Sequence, residues 1–61
     1  MNGKQVIQLL IRNGFRELRV NGSHHILSKG SVKVTVPAHG AADLKTGTLK
    51  TIEKQSGVKL K

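Results

Sequence analysis

Apolar positions along the chain follow first a helical and then a strand period. Val6, Ile7, Leu10 and Ile11 recur at near-helical spacing and mark one face of a helix. Gly14 follows as its stop, so the pattern predicts a helix over residues 3–13. Residues 15–20 are extended in character, and residues 23–28 return as a second strand. Val32, Val34 and Val36 then alternate with Lys33 and Thr35, the period of a half-buried strand. Pro37 ends that strand because it brings no N–H to the ladder. A loop over residues 38–45 leads to a second helix over residues 46–56. Leu49, Ile52 and Ser56 mark its inner side, and Gly57 closes it. The order is α-β-β-β-α, without repeats, low-complexity tracts or a long linker. Both helices have to cover one face of a three-stranded antiparallel sheet, since that arrangement buries the valine stripe. The fold class is therefore α+β, and 61 residues make one domain over the whole chain.

Two turns set an expected register. Asn21-Gly22 is a strong two-residue hairpin signal, because a type I′ turn needs positive φ at both positions. Lys29-Gly30 is a weaker signal of the same length. Counted outward from these turns, His24 faces Arg19 on one side and Thr35 on the other, with Lys33 diagonal to it. His25 falls in a row with Leu18 and Val34, on the side of the valine stripe. Neighbouring strand residues point to opposite faces, which puts His24 on the open face and His25 on the covered one. A bulge would reverse that assignment, and Gly22 is a place where one would fit.

Charge adds a partner to this frame. Eleven Lys and Arg stand against three Asp and Glu, a net charge of +8 with His neutral. A field of that sign gathers polyanions, and nucleic acid is the expected one; solubility alone is the plainer use of surface charge. No run is apolar and long enough to span a bilayer. Residues 1–19 lack the uninterrupted apolar stretch of a signal peptide; an anionic membrane surface is a weaker alternative to nucleic acid for this charge, and no membrane partner is expected. Cysteine is absent, which removes disulfides and thiolate metal cages and fits a reducing cytoplasm. With one Phe and no Trp or Tyr, the core is aliphatic. The same shortage argues against readers that stack bases on aromatic rings, so RNA recognition should lean on backbone and shape.

Candidate chemistry centres on His24. Imidazole is the side chain suited to moving protons near neutral pH. With Arg19 and Lys33 beside it on an open face, RNA cleavage needs little more. A base takes the proton of the 2′-hydroxyl, and cations stabilise the charge that develops at phosphorus. An exposed histidine is also commonly a plain surface residue, and basic strand residues often serve only to discourage edge pairing. The residues alone therefore reach a basic RNA-binding module, with enzymic activity open. Lys45, Lys50 and Lys54, with Lys59 and Lys61, crowd the C-terminal part. Lys50 and Lys54 stand one helical turn apart and suit phosphate tracking as well as a solvated helix face. His24 and His25 on opposite faces cannot share an ion, and metal-ligand spacings such as Cys-x-x-Cys or His-x-x-x-His do not occur. Nor is there a phosphate-binding loop, dinucleotide fingerprint or nucleophile elbow. No metal and no cofactor are expected.

At this point the chain resembles a known family. Gly14-Phe15, Arg19 and Gly22-Ser23-His24-His25 are similar to the N-terminal signature of HicA toxins. Val36-Pro37-Ala38-His39-Gly40, then Asp43-Leu44-Lys45-Thr46-Gly47-Thr48-Leu49, then Ile52, Lys54-Gln55 and Gly57 are similar to the C-terminal one. Together they cover nearly the whole chain in order. Thr46 stands where the family often has proline, which bears on how the helix begins and not on the chemistry. The resemblance implies a double-stranded-RNA-binding-domain-like fold, α-β-β-β-α. It implies a ribosome-independent endoribonuclease that cuts messenger RNA and stops translation. The histidine required in the family's Gly-Ser-His motif carries over to His24, with Gly22 and Ser23 shaping its turn. His39 matches the second family histidine, and RNA contact, assistance as an acid and capping of the loop are all open to it. The expected RNA-contacting residues are Arg19, Gly22, Ser23, Lys33, His39, Lys45, Lys50 and Lys54. The implied partner is a HicB antitoxin that binds the toxin and masks His24. The alternative is a non-catalytic double-stranded-RNA-binding module of the same topology, which would use helix and loop cations and need no histidine on the sheet. A protein-interaction domain whose charge docks an acidic partner is the third reading.

Overall fold

The computed structural model describes residues 1–40 and 42–60. Ala41 of the predicted loop and Lys61 of the C-terminal lysine group lie outside the described residues. The elements are α1 (Gly3–Arg12), β1 (Arg16–Asn21), β2 (His24–Lys29), β3 (Val32–Pro37) and α2 (Thr46–Ser56), the predicted order. Helix α1 begins on a reciprocal cap: Asn2 Oδ1 accepts from the Gln5 backbone N–H, and Gln5 Oε1 accepts from that of Asn2. Two of the donors orphaned at a helix start are satisfied in this way. Gly14, at φ 93°, turns the chain out of α1 in a conformation that side chains other than glycine rarely adopt. Gly57 ends α2 at φ 75°, and its N–H donates to the Glu53 carbonyl at 2.8 Å, as a left-handed cap does.

The three strands form one antiparallel sheet in the order β1-β2-β3. Val34, Val36 and Leu27 are buried on one face. There they meet Val6, Ile7 and Leu10 of α1, Ile52 of α2, Phe15 and Leu60 in one hydrophobic cluster. Leu49 packs at its margin, as predicted for the inner side of α2. Ile11 does not join it and is exposed, so the buried face of α1 is narrower than the pattern predicted. Leu60 is a contribution the pattern did not reveal. The chain folds back after Gly57, and the Leu60 N–H donates to Glu53 Oε2 at 2.9 Å.

The expected register is corrected at both turns. Asn21 pairs with His24 and Lys29 with Val32, so the loops are Gly22-Ser23 and Gly30-Ser31, each one residue later than predicted. Among the described residues positive φ is confined to glycine, at 62° for Gly22 and 60° for Gly30. A loop with glycine first needs no L-residue in the left-handed region, as a type II′ turn requires, whereas Asn21-Gly22 as a type I′ turn would hold Asn21 there too. The slip also aligns the core, because Leu27 now sits opposite Val34, both buried. Moving a turn by one residue moves each cross-strand partner by two, and two is the side-chain period of a strand. The faces are therefore preserved while the neighbours change. His25 stays on the covered side, in a row with Val20 and Val36 rather than Leu18 and Val34. His24 stays on the open side, beside Asn21 and Pro37 rather than Arg19 and Thr35. A bulge does occur, at Leu18 between Glu17 and Arg19. Lying beyond the rows of both histidines as counted from the turn, it leaves their faces unchanged.

Candidate active site

His24 is the first residue of β2, and its row ends on Pro37, the last residue of β3. The start of one antiparallel strand necessarily meets the end of its neighbour, so the segment after Pro37 arrives beside the Gly22-Ser23 turn. One hydrogen bond ties the two together: the Ala38 N–H donates to the Ser23 carbonyl at 2.7 Å. Ser23 precedes His24 and Ala38 precedes His39, so that bond places both histidines at once. Their ring centroids lie 6.4 Å apart with the planes at 81°. Both side chains are exposed. Among the described residues, neither ring hydrogen-bonds another protein group, which leaves their nitrogens available to a ligand.

The His39 segment is braced from the N-terminus of the chain. The Leu44 N–H donates to the Met1 carbonyl at 2.8 Å, and Asn2 bridges to Asp43. Gly3 is buried against the segment, and a β-carbon there would stand 2.6 Å from Ala38 Cα and 2.7 Å from the Pro37 carbonyl oxygen. Backbone atoms at those distances cannot swing aside as a flexible side chain can. Gly3→Ala is therefore expected to cost roughly 1–3 kcal/mol and to move His39 relative to His24. Thermal melting and the imidazole NMR shifts of the two histidines check this. Parental values of both would show that the contact is not a constraint.

His25 belongs to a different surface. Its Nδ1 bonds Glu17 Oε1, and both line a cleft with Lys4, Ile7, Gln8, Ala38 and Gly40. The Leu18 bulge creates this pair. In an unbroken strand Glu17 would share the face of Arg19, and the extra residue turns it to the covered side, opposite Leu27. No pattern in the sequence announces a bulge at Leu18, so the partnership was not legible beforehand. The meeting of His24 and His39 was not read from the sequence either, since the expected register set His24 opposite Thr35 and not opposite Pro37.

Against this geometry the comparisons with known proteins can be set. A family model described as "HicA toxin of bacterial toxin-antitoxin" matches residues 3–58, which takes in every element of the fold. The chain belongs to the HicA toxin family. As a HicA toxin it is the toxin of a toxin–antitoxin pair, and an antitoxin is its partner. A search of curated proteins gave no significant match.

The cations of this HicA toxin that were expected to contact RNA do not all lie together. Arg19 is opposite Ile26, which makes it the diagonal neighbour of His24 on the open face, not its direct partner. Diagonal Cβ atoms of paired strands lie about 7–8 Å apart, within reach of an arginine. Lys33 is opposite Ser28, four residues along β2 from His24, or roughly 13 Å at about 3.3 Å per residue, and is not its neighbour. Lys50 and Lys54 are exposed on α2, on the side of the helix away from buried Ile52 and so away from the sheet. Lys45 is exposed at the start of α2, where it makes no side-chain cap. The structure thus brings together Gly22, Ser23, His24 and His39 with Arg19 alongside, and leaves Lys33, Lys50 and Lys54 apart from them. Among the described residues, no lysine or arginine side chain is in an ion pair with a carboxylate, so the cationic field is not neutralised internally. No group of three His, Asp or Glu side chains converges among the described residues. No described helix is long and apolar enough to cross a membrane.

Proposed function

We propose that this toxin is an endoribonuclease that cuts messenger RNA, with His24 as the proton-transfer residue. The observation that carries the reading is the placement of His24: exposed, its ring without a hydrogen-bond partner among the described residues, on the open face of the sheet in the family's Gly-Ser-His motif. His24 takes the proton of a 2′-hydroxyl, the 2′-oxygen attacks the adjacent phosphorus, and Arg19 stabilises the charge that builds on the phosphoryl oxygens. Gly22 and Ser23 shape the turn that presents His24. Lys33, Lys45, Lys50 and Lys54 hold the RNA backbone at a distance from the chemistry. The antitoxin, of the HicB type, covers the His24 face, and the cationic surface speeds its approach at low salt. The cytoplasm, where messenger RNA and an antitoxin made beside the toxin are both at hand, is the place of action.

The test is expression of the chain alone and with its antitoxin, followed by assay of the purified toxin on RNA. Alone it should arrest growth, and the antitoxin should restore it. Cleavage should leave 2′,3′-cyclic phosphate and 5′-hydroxyl ends, persist in chelator, and fail on RNA with a 2′-deoxy residue at the cut. Metal-dependent cleavage leaving 5′-phosphate ends would replace this mechanism with attack by an activated water. Binding of double-stranded RNA without any cleavage would favour the passive module, for which Lys50 and Lys54 on the outer side of α2 are the suitable residues.

A further inference from the structure

We infer that His39 is the second catalytic residue, the general acid that protonates the leaving 5′-oxygen while His24 acts as base. The inference rests on the endoribonuclease reading and adds to it the half of the reaction that a single histidine leaves without a proton donor. In-line displacement at phosphorus puts the attacking 2′-oxygen and the departing 5′-oxygen on opposite sides of the phosphoryl group. Two proton-transfer groups flanking one phosphodiester are needed, each within about 2.6–3.2 Å of its oxygen. The two rings meet that requirement in three ways. Their 6.4 Å separation is too wide for a direct hydrogen bond between them and leaves room for a group bound by both. At 81° the planes are nearly perpendicular, so the rings do not stack on each other and do not close off the space between them. And the bond from the Ala38 N–H to the Ser23 carbonyl, with Gly3 wedged under Ala38, holds the two histidine-bearing segments in fixed relation. A residue that merely capped its loop would spend its ring on a backbone partner, and among the described residues His39 does not.

The protons balance. The 2′-hydroxyl proton passes to neutral His24, the 2′-oxygen–phosphorus bond forms and the phosphorus–5′-oxygen bond breaks. The proton of protonated His39 passes to the 5′-oxygen. The products are a 2′,3′-cyclic phosphate and a 5′-hydroxyl, and the pair is reset by proton exchange with water.

The experiment uses two oligonucleotides, each with a single cleavable ribonucleotide linkage, one with the normal 5′-oxygen and one with a bridging 5′-sulfur. A thiolate leaves without being protonated, so the sulfur substrate bypasses a general acid. His39→Ala and His39→Gln should lose about 10²–10⁴-fold on the oxygen substrate and stay within about tenfold of the parent on the sulfur one. His24→Ala should lose activity on both. Melting of each variant confirms the fold, and if the alanine variant does not fold, His39→Gln decides. Parental cleavage of the oxygen substrate by folded His39 variants overturns the proposal, as does an equal loss on both substrates. If His24→Ala also cleaves normally, or the parent cleaves neither substrate, the endoribonuclease reading itself fails.

Discussion

His24→Ala is expected to lower RNA cleavage by about 10²–10⁴-fold or more and to abolish growth arrest, while the melting temperature stays at the parental value. The separation of effects follows from the environment of the residue. The His24 side chain is exposed, lies outside the core cluster and makes no hydrogen bond to the described residues, so its removal should shift stability by no more than about 0.5 kcal/mol. RNA binding should largely persist, since Arg19 and the lysines remain. His25→Ala should behave in the opposite way. It removes the bond to Glu17 and part of the packing between Val20 and Val36. Both members of the pair are partly solvated, which holds the cost to roughly 1 kcal/mol. Its residual activity should track the folded fraction. If folded His25→Ala is inactive while His24→Ala still cuts, the catalytic assignment moves to the covered face and its Glu17 partner.

Leu27→Ala is expected to remove a large share of the protein's stability and to lower its melting temperature sharply. Leu27 is fully buried on the central strand, opposite Val34 and in one cluster with residues of both helices, so its removal leaves a cavity in the core. Such truncations cost about 2–5 kcal/mol. At ~0.05–0.15 kcal/mol per residue, a chain of this length has a total stability of only about 3–9 kcal/mol. Circular dichroism and thermal melting check the result. Antitoxin added in excess should recover part of the signal, because a partner that binds only the folded state stabilises it. A two-state melt within a few degrees of the parent would mean that the core is less dependent on the central strand than its burial implies.

The contrast between these two sites shows where sequence reasoning reached and where it stopped. The valines of β3 were legible because burial imposes a period, and the period of two survives any error in where a turn is placed. That is also why His24 and His25 were assigned to the correct faces from an incorrect register. The neighbours of His24 were not legible. Choosing between Asn21-Gly22 and Gly22-Ser23 as the loop depends on a local balance of backbone conformations and on which pairing aligns Leu27 with Val34. A hairpin signal alone does not weigh these. Arg19 accordingly moved from direct partner to diagonal neighbour, and Lys33 left the vicinity altogether.

What the sequence by itself determined is the set of properties that depend on short range and on sums. The α-β-β-β-α order comes from hydrophobic period and turn chemistry, the cationic field from +8 net charge, and the family from motifs spread along the chain. The tertiary structure decided everything that depends on residues far apart in the chain meeting in space. Glu17 reaches His25 only because one extra residue at Leu18 rotates the strand. Leu60 joins the core only because the tail turns back onto Glu53. Gly3 has no visible role until Ala38 is pressed against it. And His39 becomes a partner of His24 only when antiparallel pairing carries the end of β3 to the start of β2, where a single backbone hydrogen bond between Ala38 and Ser23 holds the two rings across a gap.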